Sequence, residues 1–191
     1  MARLKFSLPG QSGGKIVFSR RVGLSPKMGK TILNLVIFQL GWIVCVVGGD
    51  LYAMAFTSIA LLVHHRYVLE KNSEWQLIVI VVVVGSLWDI LMTFSGMVYY
   101  ADSGFLGIPI WLICLWALFA TTFMHALSWL SRYLWIAAIF AAVMGPASYW
   151  FGSELSDAYF GTPVLTSLVV MALGWATLFP AGIYLTRRYQ Q

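Results

Sequence analysis

The chain has 191 residues, of which 60% are hydrophobic and 10% are charged. Soluble domains carry roughly one quarter charged residues and under one half apolar ones, so this composition excludes an ordinary soluble globular protein. A chain this apolar lacks the polar atoms to cover a water-facing surface, and we expect lipid as its solvent. The net charge of +5 forms no basic stripe, so we predict no nucleic-acid partner.

Six apolar runs approach the roughly 20 residues that a helix needs to cross a bilayer. They cover 31–48, 51–68, 75–99, 107–129, 132–151 and 164–186. The link Gly48-Gly49-Asp50 is the weakest boundary, so the first two runs can also form one long broken hairpin. The sequence predicts an all-α fold over 30–191, a polytopic membrane helical bundle with about six transmembrane helices.

The positions of the charged residues predict the orientation of these helices. All 12 Lys and Arg residues fall on one side of the six-span arrangement. The links on the other side hold Asp50, Asp102, Glu154 and Asp157. Because cytoplasmic segments are enriched in basic residues, we expect both termini in the cytoplasm. This pattern is typical of a multi-pass protein of the bacterial inner (plasma) membrane.

Residues 1–29 are basic and contain no acidic residue. We expect a disordered N-terminal extension there, as is common for chain termini. Basic residues near a bilayer attract anionic headgroups by about 1 kcal/mol each, which is the alternative role for this segment. A signal peptide ending at Ala53-Met54-Ala55 does not fit, since this site lies inside an apolar run.

Recognisable catalytic and metal-binding motifs are absent from the sequence. It has no Walker loop, HExxH, GxSxG or CxxCH pattern. Cys45 and Cys114 lie in apolar runs, where cysteine usually acts as a small hydrophobic residue. His64-His65 followed by Glu70 is not a metal-ligand spacing. We therefore predict no disulfide and no metal site. The leading functional hypothesis, given at the end of this subsection, also requires no cofactor.

Asp89 is the residue whose placement in the hydrocarbon of a membrane is expected to be the most unfavourable. An ionisable side chain near the middle of a bilayer costs several kcal/mol unless it is paired or hydrated. Helical spacing places Gly85, Asp89 and Thr93 on one face, where a glycine permits another helix to approach closely. We predict that Asp89 points into the bundle and acts as a catalytic acid or base.

His125 is the second residue predicted to be catalytic. Thr121, Ser128 and Trp129 lie near it at helical intervals on the predicted fourth helix. Residues from other helices are expected to line the same cytoplasm-facing polar pocket: Asn34, Gln39, His64, Ser148 and Tyr149. In the alternative interpretation, Asn34, Gln39 and the Thr and Ser residues only hold helices together, at about 0.6 kcal/mol each, and His64 lies at the membrane interface.

Several segments resemble a family of small proteobacterial inner-membrane proteins, the domain of unknown function 2878. They are NLVIFQLGW (34–42), GSLWD (85–89), PIWL (109–112), HALSW (125–129) and GPASY (145–149). The likeness runs from about residue 30 to residue 188. Genes of this family often neighbour those of methyltransferases similar to cyclopropane-fatty-acid synthases, so the resemblance implies a lipid context.

Three functions remain open from these features. The leading hypothesis is an enzyme or enzyme accessory in the modification of membrane lipids, with Asp89 and His125 acting on an acyl chain in the polar pocket. The second is a non-catalytic scaffold that holds a soluble partner, such as a lipid-modifying enzyme, at the cytoplasmic face. The third is a haem-binding protein with histidines of the second and fourth helices as axial ligands.

Overall fold

The computed structural model of the protein describes residues 25–101 and 104–190. Its α-helices are α1 (Pro26–Val63), α2 (Glu74–Phe94), α3 (Ile110–Ala120), α4 (Leu134–Leu155) and α5 (Val164–Gln190). A π-helical turn, His64–Val68, extends α1, and 3-10 turns lie at Phe105–Gly107 and Ser128–Arg132. Two short strands, β1 (Val98–Tyr100) and β2 (Ala158–Phe160), pair antiparallel.

Helix α1 begins before the predicted membrane domain. Residues 1–24 of the predicted extension lie outside the described residues, whereas 26–29 form the first helical turn. The Ser25 hydroxyl accepts a hydrogen bond from the Met28 N–H at 3.2 Å and so caps this turn. Pro26 occupies the first helical position, where its missing N–H would have had no helical partner.

Helix α1 consists of two antiparallel arms, 26–48 and 50–63, that meet at Gly49. Gly49 has φ 71° and ψ −172°, a backbone conformation that glycine adopts without a Cβ clash. A Cβ on Gly41 would lie 2.9 Å from the ring of Phe56, although these positions are about 22 Å apart along a straight helix. Lys30 Nζ likewise reaches Glu70 Oε1 at 3.8 Å. The weak boundary between the first two predicted runs is therefore a sharp reversal of the chain.

Within the described residues, four helices are long and apolar enough to cross a membrane. They are Pro26–Val68, Glu74–Phe94, Leu134–Leu155 and Val164–Tyr189. Their outer faces carry large apolar side chains, such as Leu62 and Leu165, which are 68% and 71% exposed. A continuous exposed surface of this kind is stable in hydrocarbon and not in water. The predicted α-helical membrane bundle is confirmed at this level.

The third predicted run, 75–99, is helical only as far as Phe94. Gly96 follows with φ 70°, the left-handed conformation that commonly terminates a helix. The chain then enters β1, whose β-branched and aromatic residues suit an extended strand. Val98 of β1 pairs with Phe160 of β2. Within residues 25–101 and 104–190 the regular structure is therefore helical apart from this small sheet, which the all-α prediction did not include.

The fourth predicted helix, 107–129, is also shorter than expected, because α3 ends at Ala120. The hydroxyl groups of Thr121 and Thr122 donate to backbone carbonyls three residues earlier, at 2.7 and 2.6 Å. Such local bonds compete with the continuation of a helix. Turns follow to residue 127, so the helical stripe predicted around His125 does not form.

Contacts between glycine and tryptophan join α2, α3, α4 and α5 in the core. A Cβ on Gly85 of α2 would overlap the indole of Trp116 of α3. A Cβ on Gly145 of α4 would overlap Trp175 of α5 in the same way. The two indoles stack on each other with centroids 5.3 Å apart. Small residues thus let the large rings enter the helix interfaces, as is usual in membrane bundles.

Replacing Gly145 by Ala should lower the free energy of unfolding by about 1–3 kcal/mol, because the added methyl group displaces Trp175. Gly152→Ala is the matched control in the same helix, since no atom outside its chain neighbours and its own helix backbone lies within 4 Å of its Cβ position. Denaturation in detergent, followed by tryptophan fluorescence, measures both variants. Equal losses at the two positions would contradict this packing.

Candidate functional site

The two ends of the bundle differ in charge, since basic residues predominate at one end, where Lys30 also pairs with Glu70, and acidic residues line the other end. At the basic end, where α1 begins and α5 ends, Arg187 Nε donates to the Ser131 carbonyl at 2.9 Å. At the acidic end, Asp50 Oδ1 accepts a hydrogen bond from the Trp111 N–H at 2.8 Å. A cavity of about 500 Å³ at this end is lined by three acidic residues, Asp50, Glu154 and Asp157.

Asp89 is fully buried within α2, and both of its carboxylate oxygens accept hydrogen bonds. Trp116 of α3 donates through Nε1 to Oδ2 at 2.5 Å. Tyr149 of α4 donates through its hydroxyl group to Oδ1. Because the exposed fraction of Asp89 is 0%, its side chain points into the bundle, as its helical face predicts. The three residues are called the Asp89 cluster below.

The Asp89 cluster links three helices through one carboxyl group. Burying such a group without partners costs several kcal/mol in an apolar interior. A hydrogen bond to a charged group contributes about 1.5–3 kcal/mol, so two donors offset a large part of this cost. The position of Asp89 on α2 thereby fixes where the Trp116 and Tyr149 side chains lie.

A cavity of about 600 Å³ lies beside the Asp89 cluster and is called the lateral cleft. Its walls are mainly apolar and aromatic, and they come from the first arm of α1 and from α3, α4 and α5. Leu35, Phe140 and Phe151 are among the residues that line it and are 50%, 46% and 61% exposed. These side chains belong to the apolar outer surface, so the cleft opens sideways toward hydrocarbon.

Several predicted pocket residues do line this cleft, namely Gln39, Ser148 and Tyr149. Trp116 lines it as well, whereas Asp89 has no exposed surface. Tyr149 and Trp116 therefore stand between Asp89 and an occupant of the cleft. Tyr100 lies at the acidic end of the cleft. Its burial is the main cause, and the charge of Asp89 the lesser cause, of a pKa well above the usual range of tyrosine. The phenol therefore stays protonated.

His125 belongs to a second buried cluster, at the basic end. Its Nε2 atom lies 2.8 Å from Glu74 Oε2, and His64 Nε2 lies 3.5 Å from the same oxygen. The other oxygen of Glu74 accepts backbone N–H bonds from Glu70 and Lys71 at 2.9 and 3.2 Å. The exposed fractions of His64, Glu74 and His125 are 3%, 2% and 8%.

Asp89 and His125 do not share a site. Glu74 and Asp89 both lie on α2, about 22 Å apart along the helix axis. Because His125 contacts Glu74 directly, it is separated from Asp89 by a distance far beyond hydrogen-bond reach. The single polar pocket that we expected from the sequence is corrected to two separate clusters.

The remaining predicted pocket residues lie outside both clusters. Asn34 Nδ2 donates to Thr121 Oγ1 at 3.0 Å and links α1 to the end of α3, which corresponds to the helix-joining alternative. Ser128 Oγ donates to the His125 carbonyl at 2.8 Å, a local turn bond. Trp129 is 55% exposed, so the structure places it on the surface and not in a pocket. The early end of α3 explains this difference.

Sequence reasoning missed Glu74, because it stands in the polar link before the third predicted run. Glutamate at the first position of a helix is ordinarily exposed to solvent, and its negative charge interacts favourably with the helix dipole. Its partner His125 is 51 residues away in the chain. No local spacing reveals such a pairing.

The apolar helices and the buried polar clusters together define an α-helical membrane protein. The chain belongs to the family described as Protein of unknown function (DUF2878), which matches residues 31–181. This finding confirms the family that the sequence resembles. No curated protein and no solved structure matches the chain.

Replacing Tyr149 by Phe removes one donor from Asp89 while it keeps the ring. We expect the free energy of unfolding to fall by about 1–3 kcal/mol, because a buried acceptor loses its partner. Tyr159→Phe is the matched control, since this side chain is 57% exposed, and it should change little. Chemical denaturation in detergent tests both, and an unchanged Tyr149→Phe would contradict the stabilising role of this bond.

Proposed function

We propose that the chain is a multi-pass protein of a bacterial inner membrane, with six spans and both termini in the cytoplasm. The two arms of α1 run in opposite directions, which supports one crossing by each arm. The segment 108–132 runs from Trp111, beside Asp50 at the acidic end, to Ser131, beside Arg187 at the basic end. A basic end in the cytoplasm agrees with the positive-inside rule.

The short helix α3 does not argue against this topology. It is about 16 Å long, which is less than the roughly 30 Å of a hydrocarbon core. Irregular backbone is tolerated at membrane depth where protein covers it. Thr122 and Leu130, which lie in the turns after α3, are both 1% exposed. These turns therefore complete the crossing inside the bundle.

Cysteine labelling tests this topology. With Cys45 and Cys114 replaced by Ala, the exposed positions of Glu154→Cys and Arg66→Cys report the two ends. A membrane-impermeant maleimide applied to spheroplasts should label Glu154→Cys and reach Arg66→Cys only after lysis. Labelling of Arg66→Cys before lysis would overturn the proposed orientation.

Within this membrane, we propose that the protein is an enzyme or enzyme accessory of membrane lipid modification that binds an acyl chain in the lateral cleft. The observation that carries this proposal is an apolar cavity of about 600 Å³ that opens to hydrocarbon and has Tyr149 in its wall. Its volume lies within the roughly 300–1,000 Å³ of known ligand sites. A few polar groups on an apolar wall are also typical of such sites.

In this proposal Tyr149 is the group that meets the lipid. Acid–base chemistry requires a side chain within hydrogen-bond reach of its substrate, and Tyr149 is the ionisable member of the Asp89 cluster that lines the cleft. Asp89 holds the Tyr149 hydroxyl and acts through it as a positioning residue. Because His125 is far from this cluster, the working pair is Tyr149 with Asp89 and not Asp89 with His125. As an accessory, the protein would present the bound lipid to a soluble enzyme at the basic face.

The arrangement at the basic end does not favour the haem hypothesis. Glu74 Oε2 lies within 3.5 Å of both His64 and His125. A porphyrin held between these histidines would need the space that the carboxylate occupies. The lipid proposal is therefore the better supported one.

Filling the lateral cleft should reduce lipid binding. Ala147 lines the cleft, so Ala147→Trp occupies space that an acyl chain needs. Val143→Trp lies on the same helix at a position that is 62% exposed on the outer surface, and it is the matched control. Mass spectrometry of lipids that copurify in mild detergent should show a severalfold loss for Ala147→Trp alone. Equal lipid in both variants would contradict the proposal.

A further inference from the structure

We propose that His64, Glu74 and His125 form a binding site for a divalent transition-metal ion of the Zn²⁺ class. This inference is independent of the lipid proposal, because the two sites lie far apart along α2. Two imidazoles and one carboxylate are a ligand set that such ions favour, and a set of three protein ligands leaves one position for water or a substrate.

The spacing of the three side chains suits a metal ion. Their coordinating atoms all lie within 4.8 Å of one another. Zn²⁺ binds nitrogen and oxygen ligands at about 2.0–2.2 Å, so tetrahedral geometry sets neighbouring ligand atoms about 3.3 Å apart. The observed separations from Glu74 Oε2 are 2.8 Å to His125 Nε2 and 3.5 Å to His64 Nε2. Small side-chain movements are sufficient to admit the ion.

His64 supplies the independent observation that points to a ligand. Neither of its ring nitrogens has a hydrogen-bond partner among the described residues, although the side chain is only 3% exposed. Buried polar groups are nearly always hydrogen-bonded, and an exception needs an explanation. A metal ion bound through Nε2 would satisfy this nitrogen where Glu74 now lies 3.5 Å away.

A simple ion pair accounts for only part of this cluster. A protonated His125 would bind Glu74 well at 2.8 Å. The second imidazole would then remain buried against a carboxylate without a hydrogen bond, which is unfavourable in an apolar setting. A shared cation explains why two histidines and one carboxylate converge on one point. It also explains why the convergence occurs below the surface.

The surroundings of the cluster hold its ligands in place. The second Glu74 oxygen accepts backbone bonds from Glu70 and Lys71, and such outer contacts typically orient a metal-binding carboxylate. Trp75 packs edge-on against His64 with centroids 5.9 Å apart. His64 also begins a π-helical turn, and departures of this kind from a regular α-helix are frequent at functional sites.

Metal binding by the full chain in detergent tests the inference directly. After removal of metal with a chelator, equilibrium dialysis against Zn²⁺ should load about one ion per chain. His64→Ala and His125→Ala should each weaken binding by at least about tenfold. His65→Ala is the matched control, because this neighbouring histidine is exposed, and it should bind as the wild type does. Equal binding by wild type and His64→Ala would overturn the proposal.

A measurement on the unmodified chain keeps the inference testable if a variant does not fold. Co²⁺ bound at this site should give the visible absorption of a four- or five-coordinate ion, and one equivalent of Zn²⁺ should abolish it. A spectrum of hexa-aqua Co²⁺ alone would overturn the proposal. Both experiments are unaffected by the outcome of the lipid-binding test.

Discussion

The burial of one carboxyl group in an apolar bundle determines much of this structure. Hydrocarbon cannot solvate Asp89, so protein donors must do so. Trp116 and Tyr149 provide these bonds from two other helices. The indole of Trp116 reaches α2 because Gly85 lies at the contact, where a Cβ would overlap it. The same two side chains line the lateral cleft, so the arrangement that satisfies Asp89 also builds part of its aromatic wall.

Helix α2 separates the chemistry of the molecule into two regions. In its C-terminal third, the carboxyl group of Asp89 is satisfied by protein donors and supports a tyrosine at an apolar cavity. At its first residue, Glu74 is approached by two imidazoles, one of which has no hydrogen-bond partner within the described part of the chain. The first region suits an acyl chain, whereas the second suits a cation. The two proposals together describe a lipid-active protein with a separate metal site at its basic end.

The sequence predicted the features that depend on composition and on the free-energy cost of burying a charged group. Apolar runs and the separation of charges indicated the membrane bundle, and the expense of a buried carboxyl group singled out Asp89. Two kinds of feature could not be predicted from the sequence. The first depends on side chains that compete with helical backbone hydrogen bonds, and the second depends on partners that are distant in the chain. Thr121 and Thr122 end α3 through local hydrogen bonds, which moves Trp129 to the surface. Glu74 finds its partners only after α1 has reversed at Gly49 and the chain has turned beyond α3.

The most direct test of the account is comparative lipidomics of a deletion strain that is complemented with wild type, Tyr149→Phe or Tyr159→Phe at matched membrane levels. The central claim is that the Asp89 cluster acts on a lipid through Tyr149. It predicts that a lipid species altered by the deletion is restored by wild type and by Tyr159→Phe, but not by Tyr149→Phe. Full restoration by Tyr149→Phe, or a lipid profile that the deletion leaves unchanged, would contradict it.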